Sequence, residues 1–181
     1  MRKGIILGGT GGQGLILAGV IIAEAATSEG FHVAQSQTYG PEARGGNSAC
    51  SVVIDDEEID FPEVEEPDIL LVMSKDAAQQ EIPKLKKHGV LIVDSTNVKT
   101  IPPAAAQIYQ VPISAIAKQN MGNEMVANIV ALGVLTRLTG ILPLEAVENA
   151  VLGRVPEKTR GLNRQAFAAG VAAAEEALLP K

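Results

Sequence analysis

The sequence predicts an α/β fold: a three-layer α/β/α arrangement around a mostly parallel, Rossmann-like sheet with one antiparallel edge. Three observations predict it. An apolar run at residues 3–9 ends in glycines and leads directly into an apolar helical stretch, the order of strand, tight turn and helix. Apolar runs of strand length recur at 31–36, 48–54, 69–73, 90–94 and 107–111, with helical or turn-forming segments between them. The last third of the chain is helical in pattern. With 181 residues there is enough chain for one sizeable core, and residues 1–181 read as a single domain.

The elements follow in order. Residues 15–28 form a helix rich in Leu, Ile and Ala, with Glu24 its one charge in the body and Gly30 beyond its end. Residues 31–36 continue as a second strand, the start of a parallel sheet. Residues 38–47 form a loop punctuated by glycine and proline. Residues 48–54 form a strand, 55–58 a hairpin turn, and 59–61 a short edge strand. Residues 69–73 are apolar throughout and read as a central strand. A helical piece follows at 75–87, then strands at 90–94 and 107–111. Helices at 123–139, 144–152 and 162–179 complete the chain; Gly140 and Pro143 close the first of these. Helices 15–28 and 123–139 show little polar face. Such helices either lie deep in the chain's own core or present apolar surface to a partner, a homodimer included.

Composition narrows the function classes. Hydrophobic residues make up 46% and charged residues 20%, as in a globular protein. Three Phe, two Tyr and no Trp require an aliphatic core and leave little for stacking nucleic-acid bases, so no nucleic-acid partner is expected. Nine acids and no base lie between Asp55 and Asp68; removing them from the net −6 leaves +3. The simplest reading is a solvated acidic surface; the sharper one is a surface that steers a basic partner. Cys50 is the only cysteine, too few for a disulfide, an iron–sulfur cluster or a structural zinc site. His32 and His88 stand alone, without partners at metal-binding spacing, so no metal ligand is assigned. No signal peptide and no continuous apolar run of about 18 residues is evident, which predicts a cytoplasmic protein without a membrane anchor.

Gly9-Thr10-Gly11-Gly12-Gln13-Gly14 satisfies the G-x-G-x-x-G pattern between a strand and a helix. Glycines let the backbone turn sharply and approach a phosphate, and the helix start presents free N–H groups. A dinucleotide site of this type carries an acid at the end of the second strand to hold the ribose hydroxyls. Here Gln35, Ser36 and Gln37 occupy that stretch. The Lys-Ser or Lys-Thr of a P-loop is also missing. The alternative for the glycines is close packing of strand against helix.

The second loop, with Tyr39, Gly40, Arg44, Gly45 and Gly46, should open on the same carboxyl edge of the sheet. A planar guanidinium beside accessible backbone N–H groups suits a phosphate or carboxylate. The alternative is an ordinary tight turn with Arg44 paired to Glu42. Asp94-Ser95-Thr96-Asn97 ends a strand at the same edge and reads either as a ligand contact or as a cap and turn. Asn123 is a plausible helix cap. Asn128 lies among apolar neighbours and requires a hydrogen-bond partner.

Three segments together resemble the γ subunits of 2-oxoacid:ferredoxin oxidoreductases: GGTGGQG at 8–14, QTYGPEARGGNSACSVVI at 37–54 and NEMVANIVALG at 123–133. The likeness is strongest to the 2-oxoglutarate type, then the pyruvate and ketoisovalerate types, and runs from the first strand to about Gly140. It implies an enzyme that converts a 2-oxoacid, coenzyme A and oxidised ferredoxin to acyl-CoA, CO₂ and reduced ferredoxin. It implies α and β partner subunits, with a ferredoxin-like δ subunit as a further one. Thiamine diphosphate, magnesium and iron–sulfur clusters would reside in those partners. This chain would supply no catalytic residue and would face coenzyme A with Gly9, Gly11, Gly12, Gln13, Gly14, Tyr39, Gly40, Arg44, Gly45, Gly46 and Asn128. Two other readings stay open on the residues alone: a stand-alone NAD(P) reductase, and a non-catalytic scaffold of the same fold.

Overall fold

Strand β1 (Lys3–Thr10) is buried from Gly4 to Gly9, because its apolar run offers no face to water. Around it the computed structural model, which describes residues 1–42, 45–104 and 106–180, forms one six-stranded sheet. The other strands are β2 (His32–Tyr39), β3 (Asn47–Asp55), β4 (Ile69–Val72), β5 (Val90–Asp94) and β6 (Gln107–Val111), in the spatial order β2-β3-β1-β4-β5-β6. Neighbours β1, β4, β5 and β6 run parallel. Strand β3 runs antiparallel to both β1 and β2.

The expected antiparallel edge is therefore an internal strand. Helix α1 (Leu15–Ser28) carries the chain from β1 to β2, two places away, and β3 returns into the gap. Side-chain polarity explains the placement. In β3, Ala49, Cys50, Val52, Val53 and Ile54 are all buried, so it needs cover on both faces and both edges. In β2, Gln35, Ser36, Gln37 and Thr38 suit an exposed edge. The edge strand expected at 59–61 does not form. Residues 56–67, which include Pro62 and Pro67, cross the sheet irregularly, and Val64 seats over Gly4, where a Cβ would come within 2.8 Å of Val64 Cγ1. The acids between residues 55 and 68 face solvent, except for Asp55 and Asp68 themselves, which are half-buried. Asp68 accepts from Gly4 N at 2.8 Å and pairs with Lys86 at 3.0 Å.

The three layers are unequal. One sheet face carries α1, α3 (Ile113–Met121), α4 (Ala127–Thr139), α5 (Leu144–Arg154) and α6 (Arg160–Leu178). The other carries α2 (Lys75–Glu81), a 3-10 turn at Ile82–Lys84 and irregular chain that contributes Val64, Val98 and Ile101. Helix α2 stops well short of residue 87, because Pro83 tightens its end into that turn. Helix α3 is not foreseen by the sequence pattern. The 123–139 helix splits into a 3-10 turn at Glu124–Val126, capped by Asn123, and α4.

Ten of the thirteen residues of α4 are buried, beneath α3, α5 and α6. Helix α1 is buried against β1, β2, β3 and α5. The chain itself thus covers most of α4, while α1 keeps Leu17 exposed and Ile16 and Val20 half-buried. No helix among the described residues is long and apolar enough to cross a membrane.

Candidate functional site

The glycine loop sits at the carboxyl edge of the parallel strands, between β1 and α1. Gly12 and Gly14 adopt φ values of 97° and 73°, a region that a side chain would strain. Gln13 folds back into the loop. Its Oε1 accepts from Thr10 N at 2.7 Å, and its Nε2 donates to Met73 O at 3.1 Å, at the end of β4. The Gly14 carbonyl accepts from Ala18 N at 3.1 Å and from Asn128 Nδ2 at 3.1 Å. Helix α1 begins at Gly14 without a side-chain cap. Among the described residues, the amides of Gly12, Gly14, Leu15, Ile16 and Leu17 have no backbone acceptor, so the loop presents a fan of donors.

The second loop joins it directly. Because β2 points the same way as β1, the β2–β3 turn opens on the same edge, and Thr10 pairs with Asn47 across β1 and β3. Gly11 N donates to Gly46 O at 2.8 Å, and Gly40 N donates to Asn47 O at 2.6 Å, closing the turn. Gly11, Tyr39, Gly40, Gly45 and Gly46 share one hollow of about 300 Å³ with Glu42, Asn47 and Ser48. The Glu42 carboxylate lies over Gly40 and Gly46, and Tyr39 is 65% exposed at the rim. Arg44 lies outside the described residues.

On its other side the glycine loop borders a hollow of about 260 Å³ lined by Gly12, Gln13, Ser114, Glu124, Met125 and Ala127. Sequence reasoning missed Ser114, Glu124 and Met125 here. Met125, 84% exposed, is the most exposed large apolar side chain of the described residues. An apolar residue just after the Asn123 cap was the available signal.

Asp94 is fully buried at the end of β5. It accepts from Ser114 Oγ at 2.6 Å, Asn97 Nδ2 at 3.0 Å, Thr96 N at 3.1 Å and Ser114 N at 3.3 Å. It thereby caps α3, whose own first residues lack a capping side chain. The cap-and-turn reading of this segment holds, but the helix it caps lies about twenty residues on. Asn128 is also buried, and its side chain is met by the Gly14 carbonyl.

The edge can hold an anion through backbone dipoles, with Glu42 and Glu124 bordering it. Among the described residues, no group of three His, Cys, Asp or Glu is placed to hold a metal ion. The buried Cys50 thiol is pushed above its ordinary value by burial, against a weaker opposing effect from the Gln35 hydrogen bond.

A model of the family described as pyruvate ferredoxin/flavodoxin oxidoreductase matches residues 4–173. The chain is 46% identical over 179 residues to a 2-oxoglutarate synthase subunit KorC from Methanocaldococcus jannaschii, covering 97% of this chain and 96% of that one. Its fold matches the crystal structure of a keto/oxoacid ferredoxin oxidoreductase γ subunit from Geobacter sulfurreducens, with a TM-score of 0.91, 47% identity and 98% of each chain covered. It also matches a 2-oxoglutarate:ferredoxin oxidoreductase from Magnetococcus marinus, solved with 2-oxoglutarate, coenzyme A and succinyl-CoA bound. That TM-score is 0.85 at 26% identity, covering 99% of this chain but 32% of the longer one. The fold, the paired loops at one sheet edge and these matches agree: the chain belongs to the pyruvate ferredoxin/flavodoxin oxidoreductase family, as a chain of its γ-subunit type.

Proposed function

We propose that the chain serves a 2-oxoglutarate:ferredoxin oxidoreductase as its γ subunit, and that its carboxyl sheet edge holds the phosphates of coenzyme A. The whole chain acts as one module beside α and β partners. The observation that carries the coenzyme A reading is the donor fan from Gly12 to Leu17, joined to the second loop through the Gly11–Gly46 hydrogen bond. Such a fan favours negative charge without a counter-ion of its own. Coenzyme A carries a pyrophosphate and a 3′-phosphate, which suits two adjoining loops. Arg44, in the second loop by sequence, would add a charged fork. The role is positional: holding the phosphates lets the thiol reach an acyl group carried elsewhere in the complex. On this reading, thiamine diphosphate, magnesium and iron–sulfur clusters would reside in the partner chains, with ferredoxin as the electron acceptor. Similarity to 2-oxoglutarate synthase subunits at 46% identity, against 34% to a ketoisovalerate oxidoreductase subunit, supports 2-oxoglutarate as the substrate.

A dinucleotide reductase is disfavoured on topology. On one side of β1 the neighbour is the antiparallel β3, so β2 lies two places away, and it carries Gln35, Ser36 and Gln37 rather than an acid for a ribose. The test is to purify the tagged chain with its native partners and follow 2-oxoacid-dependent reduction of a ferredoxin substitute. Activity should require coenzyme A and favour 2-oxoglutarate over pyruvate and 2-oxoisovalerate. Arg44→Ala should raise the KM for coenzyme A by about ten- to a hundredfold, the loss of one or two charge-assisted hydrogen bonds. Recovery as an active monomeric NAD(P)H reductase would refute the proposal.

A further inference from the structure

We infer that Gln13 and Asn128 are positioning residues, two carboxamides that tie back the carbonyls around the glycine loop so that its N–H groups face outward. Both residues come from motifs that suggest ligand contact, yet both amides are engaged inside the protein. Gln13 spans the ends of two strands, accepting from Thr10 N at 2.7 Å on β1 and donating to Met73 O at 3.1 Å beyond β4. Its side chain fills the space beside Gly9, where a Cβ would meet Gln13 Oε1 and come within 2.6 Å of Leu15 Cδ1. Asn128, only 5% exposed, donates from Nδ2 to Gly14 O at 3.1 Å and accepts from Ile129 N at 2.9 Å. It packs so closely that a Cβ on Gly14 would lie 2.6 Å from its Nδ2. One brace fixes the loop to the sheet and the other fixes the start of α1 to α4.

The chemistry of the brace is specific. A carboxamide both donates and accepts; a carboxylate of the same shape only accepts. Gln13→Glu keeps the bond from Thr10 N but sets an oxygen against the Met73 carbonyl. It also places negative charge inside the donor fan. A buried carbonyl facing an acceptor loses its hydrogen bond, and the loop must shift to relieve the contact.

The functional half of this inference rests on the proposal that the edge holds coenzyme A. The experiment therefore separates the two. In the complex assembled with its partner chains, hydrogen exchange of residues 9–18 is measured without coenzyme A, for the native chain and Gln13→Glu. KM for coenzyme A and kcat are measured on the same samples. The expected result is faster exchange at the loop in the variant, a KM for coenzyme A raised about tenfold and a kcat within about twofold. Unchanged exchange without coenzyme A overturns the brace, whatever KM does. Faster exchange with an unchanged KM supports the brace and removes coenzyme A from the edge. Gln13→Leu, which loses both hydrogen bonds without adding charge, covers the case in which Gln13→Glu fails to assemble. It should also exchange faster, and native-like exchange there overturns the brace as well.

Discussion

Helices α4 and α6 meet backbone to backbone at Gly133 and Gly170, and Gly170→Ala should destabilise the chain markedly. A Cβ on Gly170 would lie 2.9 Å from the Val130 carbonyl carbon and 3.0 Å from Val134 N, with the Val130 carbonyl oxygen nearer still. On the facing helix, a Cβ on Gly133 would lie 3.0 Å from Val171 N and 3.1 Å from Gly170 Cα. None of these atoms ends a flexible side chain, so one helix must move off the other. Overpacking costs about 1–3 kcal/mol, and the upper end applies where backbone must shift. Alanine returns about 1 kcal/mol of helix propensity. The net cost is about 2 kcal/mol, which for a chain of this size lowers Tm by about 4–8 °C. Gly153→Ala is the control. It lies in α5 with nothing within 4 Å of its would-be Cβ, so alanine should add about 0.5–1 kcal/mol and raise Tm by about 1–4 °C. The assay is thermal unfolding followed by far-UV circular dichroism, with urea titration at fixed temperature as the second measure. Shifts of the same sign in both variants, or a Gly170→Ala chain that melts within a degree of the native one, would refute the packing argument.

Two further predictions concern α1. Gly19→Ala should destabilise the fold, because its Cβ would strike Cys50 Sγ; adding Cys50→Ala leaves contacts with the residue 50 Cβ at 3.2 Å and Val52 Cγ2 at 3.6 Å. The double variant should be more stable than Gly19→Ala alone, a coupling of about 1 kcal/mol or more in a double-mutant cycle, and strict additivity would contradict the contact. Arg154 binds the Glu24 carboxylate through Nε at 2.8 and 2.9 Å, linking α5 to α1. That hydrogen bond, aided by the arginine charge and opposed by slight burial, lowers the Glu24 pKa. A lowered folded value means stability that is present above the ordinary carboxylate range and lost as pH falls through the depressed value. The stability gap between the native chain and Arg154→Gln should therefore close on acidification and shrink in high salt; a gap constant from neutral to acid pH would exclude the linkage.

Much of this was legible in the residues. The glycine loop, the central strands and the helical last third appear where periodicity and turn residues put them. The paired loops share an edge as expected, though for another reason: β2 points along β1 from two places away. Polarity held the clue to that insertion. HVAQSQTY is too polar for an interior strand, and SACSVVI too apolar for an edge. Helix α3 escaped notice because its cap is remote: Asp94 reaches Ser114 from another element. Gln13 and Asn128 stand in motifs that point to a ligand, and a sequence does not show the carbonyls that their amides meet. Met73 O and Gly14 O become their partners only once β4 and α4 close on the loop. Of the two apolar helices, α4 is covered by its neighbours, whereas α1 leaves Leu17 exposed.

Under the proposed function, coenzyme A lies across the two loops of this chain. The direct measurement is photo-crosslinking of the assembled complex with a coenzyme A analogue carrying a photoreactive group near its phosphates, followed by peptide mapping. Adducts on residues 9–17 and 39–48 of this chain, suppressed by excess coenzyme A, are the predicted result. Adducts confined to the partner subunits, or to the acidic stretch at 55–68, would contradict it.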